Sequence, residues 1–273
     1  MLRDITIGQY FPGQSIVHRV DPRLKLLLVV AMIVTLFLAS GPISYALLAL
    51  YIFAVIRIAG IQPKIVVRGL KPVVFIVAFT AILNLFYTPG NVLWSFGFLK
   101  LTDAGIKVAI LMVVRILLLI IGTSMLTYTT SPIELTDGLE RLLSPFKKIH
   151  LPVHELAMMM SIALRFIPIL LEETDKIMKA QIARGADLES GSLIQRTKAM
   201  VPILVPLFVS AFRRANDLAM AMEARCYQGG DGRTKMKPLI YRGKDYAAYG
   251  ITFLYFAAVL LVGRFVPFRL WIF

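Results

Sequence analysis

Three arrangements of residues bear on what chemistry the chain could do, two of them present and one missing. In "HLPVHE", His150 to Glu155, two histidines stand four residues apart, a spacing that lets both reach one metal from a helix face. A zinc hydrolase of that kind needs His-Glu-x-x-His, but the third residue after Glu155 is Met158 and the remaining histidine is His18. His154 therefore reads as part of a polar stripe and His150 as a loop residue. A phosphate-cradling loop ending in Lys-Ser or Lys-Thr is missing, so the chain is not expected to hydrolyse ATP. The third arrangement is a pair, "QIARGAD" from Gln181 and "AMEARCYQGG" from Ala221, each with an arginine among small residues where a helical stretch stops. One such arginine needs no more explanation than the negative end of a helix dipole and free carbonyls to cap. Two of them, with small neighbours that leave each guanidinium free to project, point to a planar fork offered to a carboxylate or to carbonyls on another protein.

The elements that position these residues are greasy. The chain has 273 residues, of which 58% are hydrophobic, and its mean hydropathy of +0.75 exceeds what a soluble domain buries. It reads as an all-α integral membrane protein. The formal net charge of +14 reflects Lys and Arg that hold loops on the cytoplasmic side. No stacking or groove-reading motif accompanies the charge, so nucleic acid is not an expected partner. The single cysteine, Cys226, excludes an intrachain disulfide and suits a reducing face. The opening residues do not have the pattern of a cleavable signal.

Uncharged runs place five spans at about 24–40, 43–59, 73–87, 105–127 and 246–263, with "ASGPIS" and "TPGN" as turns. "VLWSFGF" after the third span reads as an interfacial segment anchored by Trp94. Arg19, Arg23 and Lys25 before the first span, and Lys64, Arg68 and Lys71 in the loop after the second, put the N-terminus in the cytoplasm. Arg57 reads as a snorkelling residue. Arg115 and Lys107 are charges within the fourth span, read either as a pathway or partner contact or as a pair with a backbone carbonyl.

Most of the charge lies in residues 131–245, between membrane segments 1–130 and 246–273. "SPIE", Ser131 to Glu134, is a capping box that starts a short helix to about Leu143. A long helix follows from Pro152 to about Ala183, with His154, Ser161, Arg165 and Glu172 in one stripe and a Glu172–Lys176 pair near its charged end. Its apolar length to Leu171 must lie against the membrane spans or a partner, with Gly185 as its stop. Another helix, about Leu193 to Ala224, carries Pro202 and Pro206 and reads as interfacial or re-entrant before a Gly-rich basic loop. Met158, Met159 and Met160 fit either a core or an adaptable partner surface.

These residues carry a resemblance. "ARG" at Ala183, Arg184 and Gly185, "ARC" at Ala224, Arg225 and Cys226, the intervening helices, "HRVDPRLKL" from His18 and "FYTPG" from Phe86 are similar to the transmembrane T component of energy-coupling factor vitamin transporters. The resemblance covers essentially the whole chain, with Cys226 standing where the second motif of that family ends in Gly. It implies a non-catalytic scaffold in a bacterial or archaeal plasma membrane, with long cytoplasmic coupling helices between spans four and five. It further implies two ABC ATPase partners, which bind the ATP and Mg and seat the two Ala-Arg helix ends. A membrane-embedded, substrate-binding S component would rest on the apolar surface, for which Met158, Met159, Met160, Leu164, Phe166 and Leu170 are the expected residues. No cofactor or metal on this chain is implied. The rival readings are a secondary transporter and a membrane enzyme. The first would show internal repeats and mid-membrane polar clusters, whereas the spans hold few polar groups beyond Thr80, Asn84, Thr123 and Ser124.

Overall fold

Proline and glycine set the boundaries of nearly every helix in the computed structural model, which describes residues 10–96, 99–149, 152–186, 192–229, 239, 241 and 243–265. After a single turn, α1 (Ile16–Arg19), helix α2 (Pro22–Leu38) begins with Pro22 in its first turn and the Asp21 carboxylate accepting the Arg23 N–H. Helix α3 (Pro42–Ala59) begins behind Gly41, whose φ of 90° makes the tight reversal, and α4 (Pro63–Tyr87) begins with Pro63. The expected third span therefore starts earlier than residue 73. Pro72 is accommodated inside α4, so Lys64, Arg68 and Lys71 lie on its first turns and not in a loop.

Beyond α4 the chain forms a hairpin of β1 (Val92–Phe96) and β2 (Leu99–Thr102), paired antiparallel with Trp94 opposite Leu101. The segment read as interfacial is thus a strand with a partner, its Val92, Trp94 and Phe96 at alternate positions, just before α5 (Asp103–Thr129). Helix α6 (Pro132–Leu143) starts with the expected capping box, Ser131 Oγ accepting from the Glu134 N–H at 3.3 Å and the Glu134 carboxylate accepting from the Ser131 N–H at 3.2 Å. A 3-10 turn, Ser144–Ile149, leads towards α7 (Val153–Ala183), α8 (Leu193–Glu223) and α9 (Gly243–Phe265).

Among the described residues, five helices are long and apolar enough to cross a bilayer: α3, α4, α5, α7 and, from Asp245, α9. The number agrees with the sequence reading but the membership differs. The expected first span, α2, is 17 residues long, whereas α7 has the length and hydropathy of a span over part of its 31 residues.

The chain divides into two compact units. One comprises residues 8–138 and 239–273 and holds α1 to α5, the hairpin, most of α6, and α9. Its core packs Met32 and Leu36 of α2, Leu48 and Ile52 of α3, Leu118 of α5, and Phe256 and Val259 of α9. Gly263 permits a close approach of α9, because a Cβ there would lie 2.7 Å from Ser44 Oγ and 3.1 Å from the Ser40 carbonyl. Arg115 bonds neither carboxylate nor carbonyl among the described residues; its Nε donates to the Tyr45 hydroxyl at 2.8 Å and its Nη2 to the same oxygen.

Two polar clusters tie the ends of these helices together. Lys25 is buried, and its ammonium donates to the His18 carbonyl at 3.1 Å, the Thr129 carbonyl at 2.9 Å and Thr130 Oγ1 at 3.2 Å, pinning α2 to the end of α5. Arg23 pairs with Asp21 at 2.8 Å, donates to the Leu239 carbonyl at 3.0 Å and stacks on Tyr241 at 3.9 Å. The Asp21 N–H donates to Asp245 Oδ1 at 3.3 Å, which holds the start of α9 to that of α2. Burial raises the Asp21 carboxyl pKa, but the hydrogen bonds and charge of Arg23, with Lys25 behind them, outweigh it and leave the pKa below the ordinary value.

The second unit, residues 139–238, holds α7 and α8. Glu173 of α7 accepts from Arg214 Nη2 at 2.9 Å and from Ser210 Oγ at 2.5 Å, both on α8, and Gln181 Nε2 donates to the Pro202 carbonyl at 3.4 Å. Eight residues forward on α7 match eight residues backward on α8, so the helices pack antiparallel.

Two stability measurements follow. Lys25→Met should lower the thermal unfolding midpoint of the detergent-solubilised chain, with a loss of about 1–3 kcal/mol, because two carbonyls lose a charged donor in a buried place. Asp21→Asn should also destabilise near neutral pH. Because the folded carboxyl has the lower pKa, its contribution is complete above the ordinary carboxylate value of about 3.9 and fades as the pH falls below it. The gap between wild type and Asp21→Asn, followed by unfolding midpoint, should therefore narrow on acidification.

Candidate functional site: two arginine-tipped helix ends

Helix α7 ends as a helix must when its chain reverses at once. The Gly185 N–H donates to the Ile182 carbonyl at 2.9 Å, and the Ala186 N–H reaches back to the Gln181 carbonyl at 3.0 Å. This double bond pattern needs the residue after the cap in the left-handed region, and Gly185 has a φ of 87°. Arg184 is the cap itself and is exposed.

Helix α8 repeats this geometry forty-one residues later in the chain. The Cys226 N–H donates to the Glu223 carbonyl at 2.8 Å, and the Tyr227 N–H donates to the Met222 carbonyl at 3.0 Å. Arg225 stands where Arg184 stands, exposed, and Cys226 takes the place of Gly185 with a φ of 55°. Cys226 is the non-glycine residue with positive φ among the described residues. The substitution of Cys for Gly therefore leaves the reversal sharp and stores a steric penalty of about 1–2 kcal/mol in it. Ala183 and Ala224, which precede the arginines, are small and exposed, so neither immediate neighbour crowds a guanidinium.

Because α7 and α8 are antiparallel, the two arginines face away from each other along the pair, on the order of 35 Å apart at 1.5 Å of rise per residue. Two like cations on caps that share one bond pattern, far apart and pointing in opposite senses, suit two separate and similar acceptors. A single catalytic pocket would need them together.

The expected apolar surface is only partly one face. On α7 the angular positions of Met159, Phe166 and Leu170 fall together, Met160 and Leu164 share the neighbouring strip, and Met158 lies apart. Met159 and Met160 are exposed, and Met158, Leu164, Phe166 and Leu170 are half-buried. A second surface was missed. On α8, Val201, Leu204, Val205, Phe208, Val209 and Phe212 are all exposed, at the three- and four-residue spacing of a helical stripe. That spacing is readable in the sequence, where the segment read only as interfacial or re-entrant.

Of the expected polar stripe, His154 Nδ1 meets Glu140 Oε1 at 3.0 Å. The inter-helix partner is Glu173, one position beyond Glu172 of the expected Glu172–Lys176 pair. Arg165 and Glu172 are exposed. His150, the other member of the histidine pair, lies outside the described residues.

Residues 13–236 match the family model described as CbiQ, cobalt transport protein. The energy-coupling factor transporter transmembrane protein EcfT of Ruminiclostridium cellulolyticum is 54% identical over 262 residues, 96% of this chain and 98% of that protein. The protein of that name from Clostridium kluyveri is 56% identical over 250 residues, 91% of this chain and 93% of its own length. Its counterpart in Bacillus subtilis is 50% identical over 265 residues, 97% of this chain and all of that protein.

The cap geometry makes a paired prediction. Gly185→Val should speed amide exchange in the last turn of α7, although a Cβ there meets nothing within 4 Å, because the penalty is in the backbone. Cys226→Gly should slow exchange in the last turn of α8, releasing about 1 kcal/mol of strain. Hydrogen–deuterium exchange on both variants reads the opposite signs directly.

Proposed function

Since the chain belongs to the CbiQ family, whose members similar to it along nearly their full length are transmembrane proteins of energy-coupling factor transporters, we propose that it is the scaffold of such an importer. It sits in the plasma membrane with its N-terminus in the cytoplasm, as the basic residues around the first two spans indicate. The chain does no chemistry. A pair of ABC ATPases binds ATP with Mg, and a membrane-embedded S component binds the micronutrient, a vitamin or a metal ion.

The observation that carries this reading is the repeated cap. Arg184 and Arg225 are exposed at the two ends of one antiparallel pair, on the same backbone reversal. Each end fits a groove on one ATPase, the guanidinium meeting carboxylates or carbonyls in a bidentate fork. Closure of the ATPases on ATP then displaces the two ends relative to one another. The Glu173–Arg214 contact passes the displacement from helix to helix, and the apolar faces of α7 and α8 pass it to the S component. Only a differential contact between ATP-bound and ATP-free states can drive the shift, and the helix ends are where that difference enters.

The test is assembly and uptake in cells that express the chain with its partners. Arg184→Glu or Arg225→Glu should reduce ATPase co-purification and uptake by about tenfold or more, since a carboxylate would then face an acceptor groove built for a cation. Wild-type uptake by the double reversal would sink the docking role of both arginines.

A further inference from the structure

Arg115 has a place in the fold that ATPase docking does not use. It lies on α5, and its guanidinium lies in a recess of about 360 Å³ lined by Ala39, Ser40, Gly41, Tyr45, Leu111 and Arg115 itself. Tyr45 takes two of the five guanidinium donors, and Phe37 lies 5.8 Å from the cation. These partners are all neutral, and no carboxylate pairs with Arg115 among the described residues. A charge in a span costs free energy unless an opposite charge or water reaches it.

The lengths of the spans decide which counter-charge can reach it. Helix α2 has 17 residues and α3 has 18, about 26 and 27 Å, less than the roughly 30 Å of a bilayer core. Helix α4 has 25 residues and α5 has 27, about 38 and 40 Å. The α2–α3 turn and the α4–α5 hairpin lie at the same end of the unit, so the turn forms a step below the hairpin, and Arg115 sits on the wall of that step. A bilayer thins next to a short span and brings its headgroups inward. Ser40 Oγ also donates to the Gly263 carbonyl at 3.4 Å, which places exposed Arg264 at the same turn, a second cation beside the step.

We propose that the recess at the α2–α3 turn is a phospholipid site in which Arg115 binds the headgroup phosphate, held in position by Tyr45. The acyl chains lie along the exposed apolar side chains below the turn, Phe37, Leu38 and Val34 of α2. A phosphodiester accepts a guanidinium in a two-point fork, which uses donors that Tyr45 leaves open. The site is independent of the ATPase-docking helices and holds even if that role fails.

Native mass spectrometry of the full chain, released from nonionic detergent with added dioleoylphosphatidylglycerol, tests this. Wild type should retain one lipid more tenaciously than the rest. Arg115→Gln should weaken that retention roughly tenfold, as for the loss of one charge-assisted contact. Leu111→Trp leaves the Arg115–Tyr45 pair in place and fills the recess, so it should weaken retention equally even if Arg115→Gln proves poorly folded. Two controls separate the sources of the anion. An alkyl maltoside bearing equivalent chains should not compete, and inorganic phosphate alone should not shift the unfolding midpoint. Equal lipid retention by wild type and Leu111→Trp would overturn the proposal. So would stabilisation by inorganic phosphate alone, or a wild-type chain that holds no lipid while its Arg115 becomes protected only when a membrane partner with a buried carboxylate is added.

Discussion

The last carbonyls of a helix that ends in an exposed arginine accept no backbone hydrogen bond unless the chain folds back and brings N–H donors to them. In this protein the reversal is made twice, by N–H groups from the two residues after each arginine, and it requires a left-handed residue at one position only. The orientation of both arginines and the abrupt end of each long helix depend on that position. Gly185 meets the requirement at no steric cost, and Cys226 meets it under strain. The tolerance of a cysteine shows that the bond pattern is worth more than the backbone penalty.

The membrane-spanning unit depends on polar contacts of a different kind. Its helices carry few side chains that distinguish one neighbour from another, because an apolar face packs almost as well against lipid as against protein. Specificity comes instead from Lys25 on three oxygens of two other elements, from the Asp21–Arg23 pair reaching α9, and from close approach at Gly263. These contacts cluster at helix ends, where water supports ionic groups. Arg115 is the charge that lies away from them, and it bonds a phenol.

The sequence made most of the helices legible because the signals that end them are steric. Pro42 and the "SPIE" box fall where helices begin, and Gly41 and Gly185 where the chain turns. The start of α4 was misplaced because charge alone bounded the span: Lys64, Arg68 and Lys71 read as a loop, yet a 25-residue helix absorbs Pro72 and carries them on its first turns. The β1–β2 hairpin was hidden because a five-residue, mostly apolar stretch reads equally as strand or interface until the partner strand is known. Of the site, both arginines and their helix-end setting were readable from small neighbours and a glycine. Their antiparallel separation was not, since it follows from Glu173 meeting Ser210 and Arg214, a pairing between residues thirty-seven and forty-one apart that no local pattern encodes. The apolar stripe of α8 was encoded and overlooked.

The position of that inter-helix contact has a mechanical consequence. Eleven residues separate Glu173 from Arg184, and eleven separate Arg214 from Arg225. The ion pair therefore sits at the fulcrum of a balanced beam, with arms of about 17 Å on either side. Rotation about this point moves both tips through equal arcs in opposite directions, so neither end gains leverage over the other. Two forces of equal size applied at the tips would do equal work on such a beam. A two-residue insertion between Arg214 and Arg225 would lengthen one arm and turn equal strokes into unequal ones.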